Sequence, residues 1–211
     1  MRVEDWGRVP YAEAWQRQET LVAEVQSGAE DTLVFVEHPP VLTLGANFHD
    51  ENLIFPAEVY RERGIEIHPT DRGGDVTYHG PNQLVIYPIF NLERHGKDLH
   101  RWLRGLEETM IVTCRAYGLI AERFPPNTGA WIEGRKVAAI GIKVKRWVSL
   151  HGIALNCDLD LDVFKLFVPC GIRTHGVTSL TQETGRQVTI DAAKPIVIEA
   201  FTEVFGVTPR A

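Results

Sequence analysis

Three cysteines among 211 residues are too few, and odd in number, for a disulfide framework, and they suit a reducing compartment. No apolar run approaches the length that spans a bilayer, so no membrane helix is expected. The stretch Met1-Arg2-Val3-Glu4-Asp5-Trp6 lacks the apolar centre of a secretory signal, which leaves the cytoplasm as the expected location. Positive charge is short as well. The 22 Lys and Arg against 28 Asp and Glu give a formal charge of −6, which argues against a basic surface for nucleic acid. Arg135, Lys136, Lys143, Lys145 and Arg146 do cluster, either as a patch for an acidic partner or as a solvated strand face. A phosphate-binding loop pattern and any set with metal-ligand spacing are missing, so no metal and no cofactor are expected. The eight histidines are scattered, and His49, His95 and His100 read as surface or cap residues. Repeats, low-complexity tracts and linkers are absent too, so residues 1–211 are expected to form one domain.

What is present is an ordinary globular composition, 44% hydrophobic and 24% charged. Apolar spacing predicts helices over 10–26 and 98–117, the second with Leu99, Trp102, Leu103, Leu106, Met110 and Tyr117 on its inner face. Short helices are expected at 57–63 and 158–167, and a last one at 191–205, with Asp191 as its cap and Pro195 near its first turn. Strands are expected at 33–36, resuming at 41–44 after His38-Pro39-Pro40, and at 65–68, 83–90 and 187–190. Pro88 places the end or edge of a strand there. Residues 130–133, 136–145 and 148–156 read as an antiparallel meander. Meanders mixed with helices, rather than alternating units, give an α+β class.

The chemistry concentrates in three stretches. Arg72-Gly73-Gly74-Asp75-Val76-Thr77-Tyr78-His79-Gly80-Pro81-Asn82-Gln83 holds three glycines and a proline and runs straight into an apolar strand. Such a loop presents backbone donors to a ligand, or only makes a long turn. Small residues at Ala138, Ala139, Gly141, Gly152 and Ala154 on neighbouring strands leave room for a ligand, or for close helix packing. Cys170, between Pro169 and Gly171 in a loop, is a nucleophile or a packed thiol, whereas Cys114 on a helix reads as a small buried hydrophobe. Lys136 activates Cys170 if the fold brings them together: an ammonium favours the thiolate, and a desolvated lysine can later act as a base.

Taken together, these motifs resemble the octanoyltransferases (lipoyl(octanoyl) transferases) of lipoate biosynthesis. The family pattern R-G-G-x-x-T-Y-H-G-P-G-Q is matched by Arg72, Gly73, Gly74, Thr77, Tyr78, His79, Gly80, Pro81 and Gln83. Asn82 stands where Gly is usual; if that position needs positive φ, Asn is the next best residue. The family's lysine strand matches Lys136 through Gly141, its H-G-x-A-L-N strand His151, Gly152, Ala154, Leu155 and Asn156, and its P-C-G Pro169, Cys170 and Gly171. The resemblance implies a biotin/lipoate-protein-ligase-like domain with a mixed, largely antiparallel sheet flanked by helices. It implies a catalytic pair, Cys170 and Lys136, and substrate contacts from Arg72, Gly73, Gly74, Asp75, Val76, Thr77, Tyr78 and His79, from Ala139, Ile140 and Gly141, and from Gly152, Ile153 and Ala154, with His151 in support. It also implies transfer of an octanoyl or lipoyl group from acyl carrier protein, through a cysteine thioester, to a lysine of a lipoyl domain. The acceptors it implies are the lipoyl domains of 2-oxoacid dehydrogenase complexes and the glycine-cleavage H protein, and a monomer suits a site that admits two protein partners. Rival readings are an adenylate-forming lipoate or biotin ligase, a non-catalytic binding module and a cysteine hydrolase.

Overall fold

The computed structural model describes residues 1–125, 127–168 and 175–210. Apolar residues that alternate along the chain decide its layering. In β2 (Thr32–Glu37), Leu33 and Phe35 face one core while Val34 and Val36 face another. In β6 (Gln83–Ile89), Leu84 and Ile86 are set against Val85, Tyr87 and Ile89 in the same way. Strands buried on both faces need helices on both faces. α1 (Tyr11–Gln26) supplies Ala14, Leu21, Val22 and Val25 to one side. α3 (Leu99–Ala116) and α5 (Ile190–Phe205) cover the other with Trp102, Leu106, Met110, Val197 and Phe201.

Among the described residues the large sheet has seven strands. Its order is β1 (Arg2–Arg8), β2, β6, β10 (Val148–Asn156), β9 (Arg135–Lys145), β8 (Asn127–Ile132) and β7 (Glu122–Phe124). Only the β1–β2 pairing is parallel. A second sheet of three strands, β4 (Glu66–Pro69), β3 (Val41–Leu44) and β5 (Val76–His79), closes over Leu42, Tyr60, Val76, Tyr78 and Phe167. α2 (Ala57–Glu62) and α4 (Leu180–Thr184) complete the helices. This is the expected α+β architecture with a largely antiparallel sheet. No helix among the described residues is long and apolar enough to cross a membrane.

Several expectations are corrected. β1 was not expected; its polar sequence is held extended by pairing with the edge of β2. Residues 41–44 do not resume the strand at 33–36, since the two lie in different sheets on either side of the prolines. Val76–His79, inside the expected glycine loop, is strand β5. Pro88 is next to the last residue of β6, as expected of a strand end, but not at a sheet edge. It sits in β6 between β2 and β10, opposite Leu33. Pairing of β6 with β10 stops at Ile86, so the missing N–H falls where that ladder is already broken. There the Ser149 hydroxyl donates to the Pro88 carbonyl at 2.6 Å and accepts from the Phe90 N–H at 3.1 Å.

Residues 158–167 hold only a 3-10 stretch, Leu161–Leu166, and 187–189 form no strand. α5 is capped by Thr189, which accepts from the Ala192 N–H, and not by Asp191. Pro195 falls in its second turn, so one intrahelical bond is lost. Leu99, expected on the buried face of α3, is 42% exposed because it lies in the first turn, beside the cap Asp98. The basic cluster is the solvated strand face that the sequence allowed, with Arg146 exposed beside it. Arg135 pairs with Glu133 and Glu183, Lys143 with Asp71 and Lys145 with Glu19, and Lys136 is buried.

Candidate active site

The site is assembled where β9 and β10 carry their smallest residues side by side. Ala139 is opposite Ala154, Ile140 opposite Ile153 and Gly141 opposite Gly152. The glycine loop lies on this platform, with the Gly73 N–H donating to the Ile142 carbonyl at 2.9 Å. A methyl group at Gly141 would stand 2.7 Å from the Gly73 carbonyl oxygen, so glycine here is what lets the loop approach. Arg72 shapes the loop from within. It is buried, and its guanidinium donates to the Thr43 hydroxyl and carbonyl, the Gly73 carbonyl and the Asp75 carbonyl.

A narrow, mainly apolar cavity results. It brings together most of the residues singled out in the sequence: Arg72, Gly73, Gly74, Thr77, His79, Lys136, Ala139, Ile140, Gly141, His151, Gly152, Ile153 and Ala154. Three do not line it. Val76 and Tyr78 alternate with Thr77 and His79 along β5 and point into the core of the small sheet. Asp75 is tied to Asn52 at 2.7 Å and to His49 at 3.1 Å. Ala138, one of the small residues, faces the opposite core. Cys170 and Gly171 lie outside the described residues. Tyr11, Val85 and Tyr87 also line the cavity and were missed; in the sequence they are indistinguishable from core positions of a helix and a strand.

A line of hydrogen bonds joins the three motifs. The His79 Nδ1–H donates to Gln83 Oε1 at 2.8 Å, and the Gln83 amide donates to Asn156 Oδ1 at 3.0 Å. The Asn156 amide donates to the Thr178 carbonyl at 2.9 Å, and the Thr178 N–H to the Lys136 carbonyl at 2.9 Å. Gln83 and Asn156 thus stand behind the cavity and hold the glycine loop, β10 and the lysine strand in register. Asn82 adopts φ of 64°, the left-handed conformation expected of a residue in a glycine's place, and completes the turn into β6.

The buried histidines at and beside the cavity are kept neutral. His38 donates from Nδ1 to the Val9 carbonyl and accepts the Tyr87 hydroxyl at Nε2, both at 2.7 Å. Burial pushes its pKa down to about 4. His79 is held well below the usual histidine range by burial and by the neighbouring His38. Burial also lowers the pKa of His151, against the pull of Asp71, whose carboxylate accepts from its Nε2 at 2.8 Å. Neutral imidazoles in the fold and protonatable ones in the unfolded chain make stability depend on pH. Between about pH 4 and 6.5 the unfolded state binds more protons, so stability is full above 6.5 and falls on acidification. His38 alone is expected to cost about 3 kcal/mol by pH 4, visible as a drop in the urea midpoint from pH 7.5 downwards.

Lys136 is set in place before any substrate arrives. Its N–H donates to the Gly176 carbonyl at 2.9 Å, and its ammonium lies over the ring of Trp131, 4.8 Å from the centroid. Gly129 packs against its stem at φ of 139°. A methyl group there would stand 2.5 Å from the Ala138 carbonyl oxygen, which belongs to the β9 backbone. Gly129→Ala is therefore expected to destabilise the fold by about 2 kcal/mol, checked by urea titration.

The architecture is that of lipoate- and biotin-protein ligases. The chain superposes on lipoate-protein ligase A bound with ATP at a TM-score of 0.79 and 18% identity, over 99% of this chain and 87% of that one. It matches the Aquifex aeolicus biotin protein ligase in complex with biotin and ATP at 0.57 and 12%, over 97% and 70%. The lipoyl protein ligase A/B catalytic domain matches residues 10–202. An octanoyltransferase of Rubrobacter xylanophilus is 46% identical over 203 residues, covering 95% of this chain and 91% of that protein. The chain belongs to the octanoyltransferase family within that domain class, acyltransferases that act in protein lipoylation.

Proposed function

We propose that this enzyme moves an octanoyl group from octanoyl-acyl carrier protein to a lysine of a lipoyl domain, by way of a thioester on Cys170. The acceptor fits the family, whose work is lipoylation. The observation that carries the reading is the meeting of Lys136 with the glycine loop and the small-residue strands around one apolar cavity. The chain on either side of residues 169–174 is tied to the same region. The Val168 N–H donates to the carbonyl of Asn52, whose side chain binds Asp75, and the Gly176 carbonyl accepts from Lys136. The acyl chain lies against Ala139, Gly141, Gly152 and Ala154, while Arg72, Gly73, Gly74, Thr77 and His79 close the cavity over it. Asp75, Val76 and Tyr78 act from behind the loop, as its supports.

The thiolate of Cys170, stabilised by the Lys136 ammonium, attacks the donor's thioester carbonyl and expels the carrier thiolate, which takes a proton from that ammonium and leaves Lys136 neutral. One thioester replaces another, so the step is nearly thermoneutral. The acceptor amine then attacks the acyl-enzyme, gives up a proton to Lys136 in its neutral form, and expels the Cys170 thiolate as the amide forms. The activated donor makes adenylation unnecessary. The test is intact-protein mass spectrometry after mixing with octanoyl-acyl carrier protein, without ATP. One octanoyl group on Cys170, discharged on adding a lipoyl domain, is expected. An ATP requirement, or free octanoate as the main product, would overturn the reading in favour of a ligase or a hydrolase.

A further inference from the structure

We propose that Trp131 is a positioning residue for Lys136, its indole face holding the lysine ammonium in place. The inference rests on the reading of Lys136 as the group that activates the nucleophile. Trp131 and Lys136 are cross-strand partners on β8 and β9, where the register shifts between Ala130 and Trp131. The ammonium nitrogen stands 4.8 Å from the ring centroid, and the two residues are 1% and 8% exposed. A cation over an aromatic face gains most when both are removed from water.

The ring is held from its other sides. Phe124 lies 5.2 Å away and His175 meets it edge-on at 6.0 Å. The lysine backbone is clamped by Gly176 and Thr178, and its stem is confined by Gly129, whose own N–H is accepted by the buried Glu107. The choice of tryptophan needs a reason, because its indole N–H is buried here with no hydrogen-bond partner among the described residues. Phenylalanine would put an aromatic ring there without that cost, though it would leave part of the space empty. What tryptophan adds is the most strongly cation-attracting face of the aromatic side chains. The octanoyl transfer site thus includes a residue that never touches the substrate and acts through the lysine.

Tryptophans carrying one, two and four ring fluorines, placed at position 131, keep the shape of the side chain while draining the face of its charge. Across the series the order parameter of the Lys136 ε-methylene group, read by NMR relaxation, is expected to fall stepwise. The rate of octanoyl loading onto Cys170 should fall in step. Trp131→Phe should lie between the native enzyme and Trp131→Leu in both measurements. A flat series, with order parameter and loading rate unchanged, overturns the inference. Lys136→Met separates the two levels. If that variant fails to load octanoyl and the fluorine series is flat, only the role of Trp131 is wrong; if it loads at the native rate, the role of Lys136 fails and the inference falls with it.

Discussion

Lys136→Met is expected to slow octanoyl loading and transfer by roughly 10²- to 10⁴-fold, the loss that follows removal of a placed acid–base group. Methionine keeps most of the stem packed against Gly129 and over Trp131, so the urea midpoint should change little. The split between the two measurements carries the weight. A catalytic loss without a folding loss assigns Lys136 to the chemistry. Parallel losses would make it a structural lysine, and near-native transfer would leave Cys170 without its activator. The loss should appear in both half-reactions, since the same nitrogen serves the thiolate first and the incoming amine second.

Gly152→Ala is expected to lower stability by about 3 kcal/mol, or roughly 10 °C in Tm. The added methyl group would stand 2.2 Å from the Ile86 carbonyl oxygen and 2.7 Å from Pro88 Cδ. A backbone oxygen on a central strand has nowhere to go, so β10 has to lift from β6. That movement would also shift His151, which already sits at φ of 58° and pairs with Asp71. Octanoyl transfer should therefore fall further than the folded fraction does. Thermal unfolding and an activity assay below the transition give both quantities, and an unchanged Tm would show that the strands separate at little cost.

Lys136, Gly141, Gly152 and Gln83 stood out in the sequence as residues of motifs. Their type carried the signal, because glycine beside alanine on paired strands and a glycine loop entering an apolar strand are local patterns. The long elements were legible for the same reason: α1, α3, β9 and β10 have periodicities of their own. β1 and β5 were not: β1 has no pattern apart from the strand it pairs with, and the alternation in β5 is only four residues long inside a glycine-rich stretch. Pro88 marked the end of its strand but not an edge, because its missing N–H falls where pairing with the neighbouring strand has already stopped. The tail strand failed: a short β-type run precedes α5 but has no partner strand.

The residue order by itself determined the class of fold, the glycine loop, the lysine strand and the small-residue platform, since each depends on neighbours within a few positions. Only the tertiary structure decided that Tyr11 and Tyr87 wall the cavity, that Val76 and Tyr78 turn away from it, and that Trp131 lies under Lys136. Those assignments depend on which face of a strand meets which helix, and on a register shift between two strands. A one-residue change in register exchanges the faces, and it is set by packing across the whole sheet rather than by any stretch of chain.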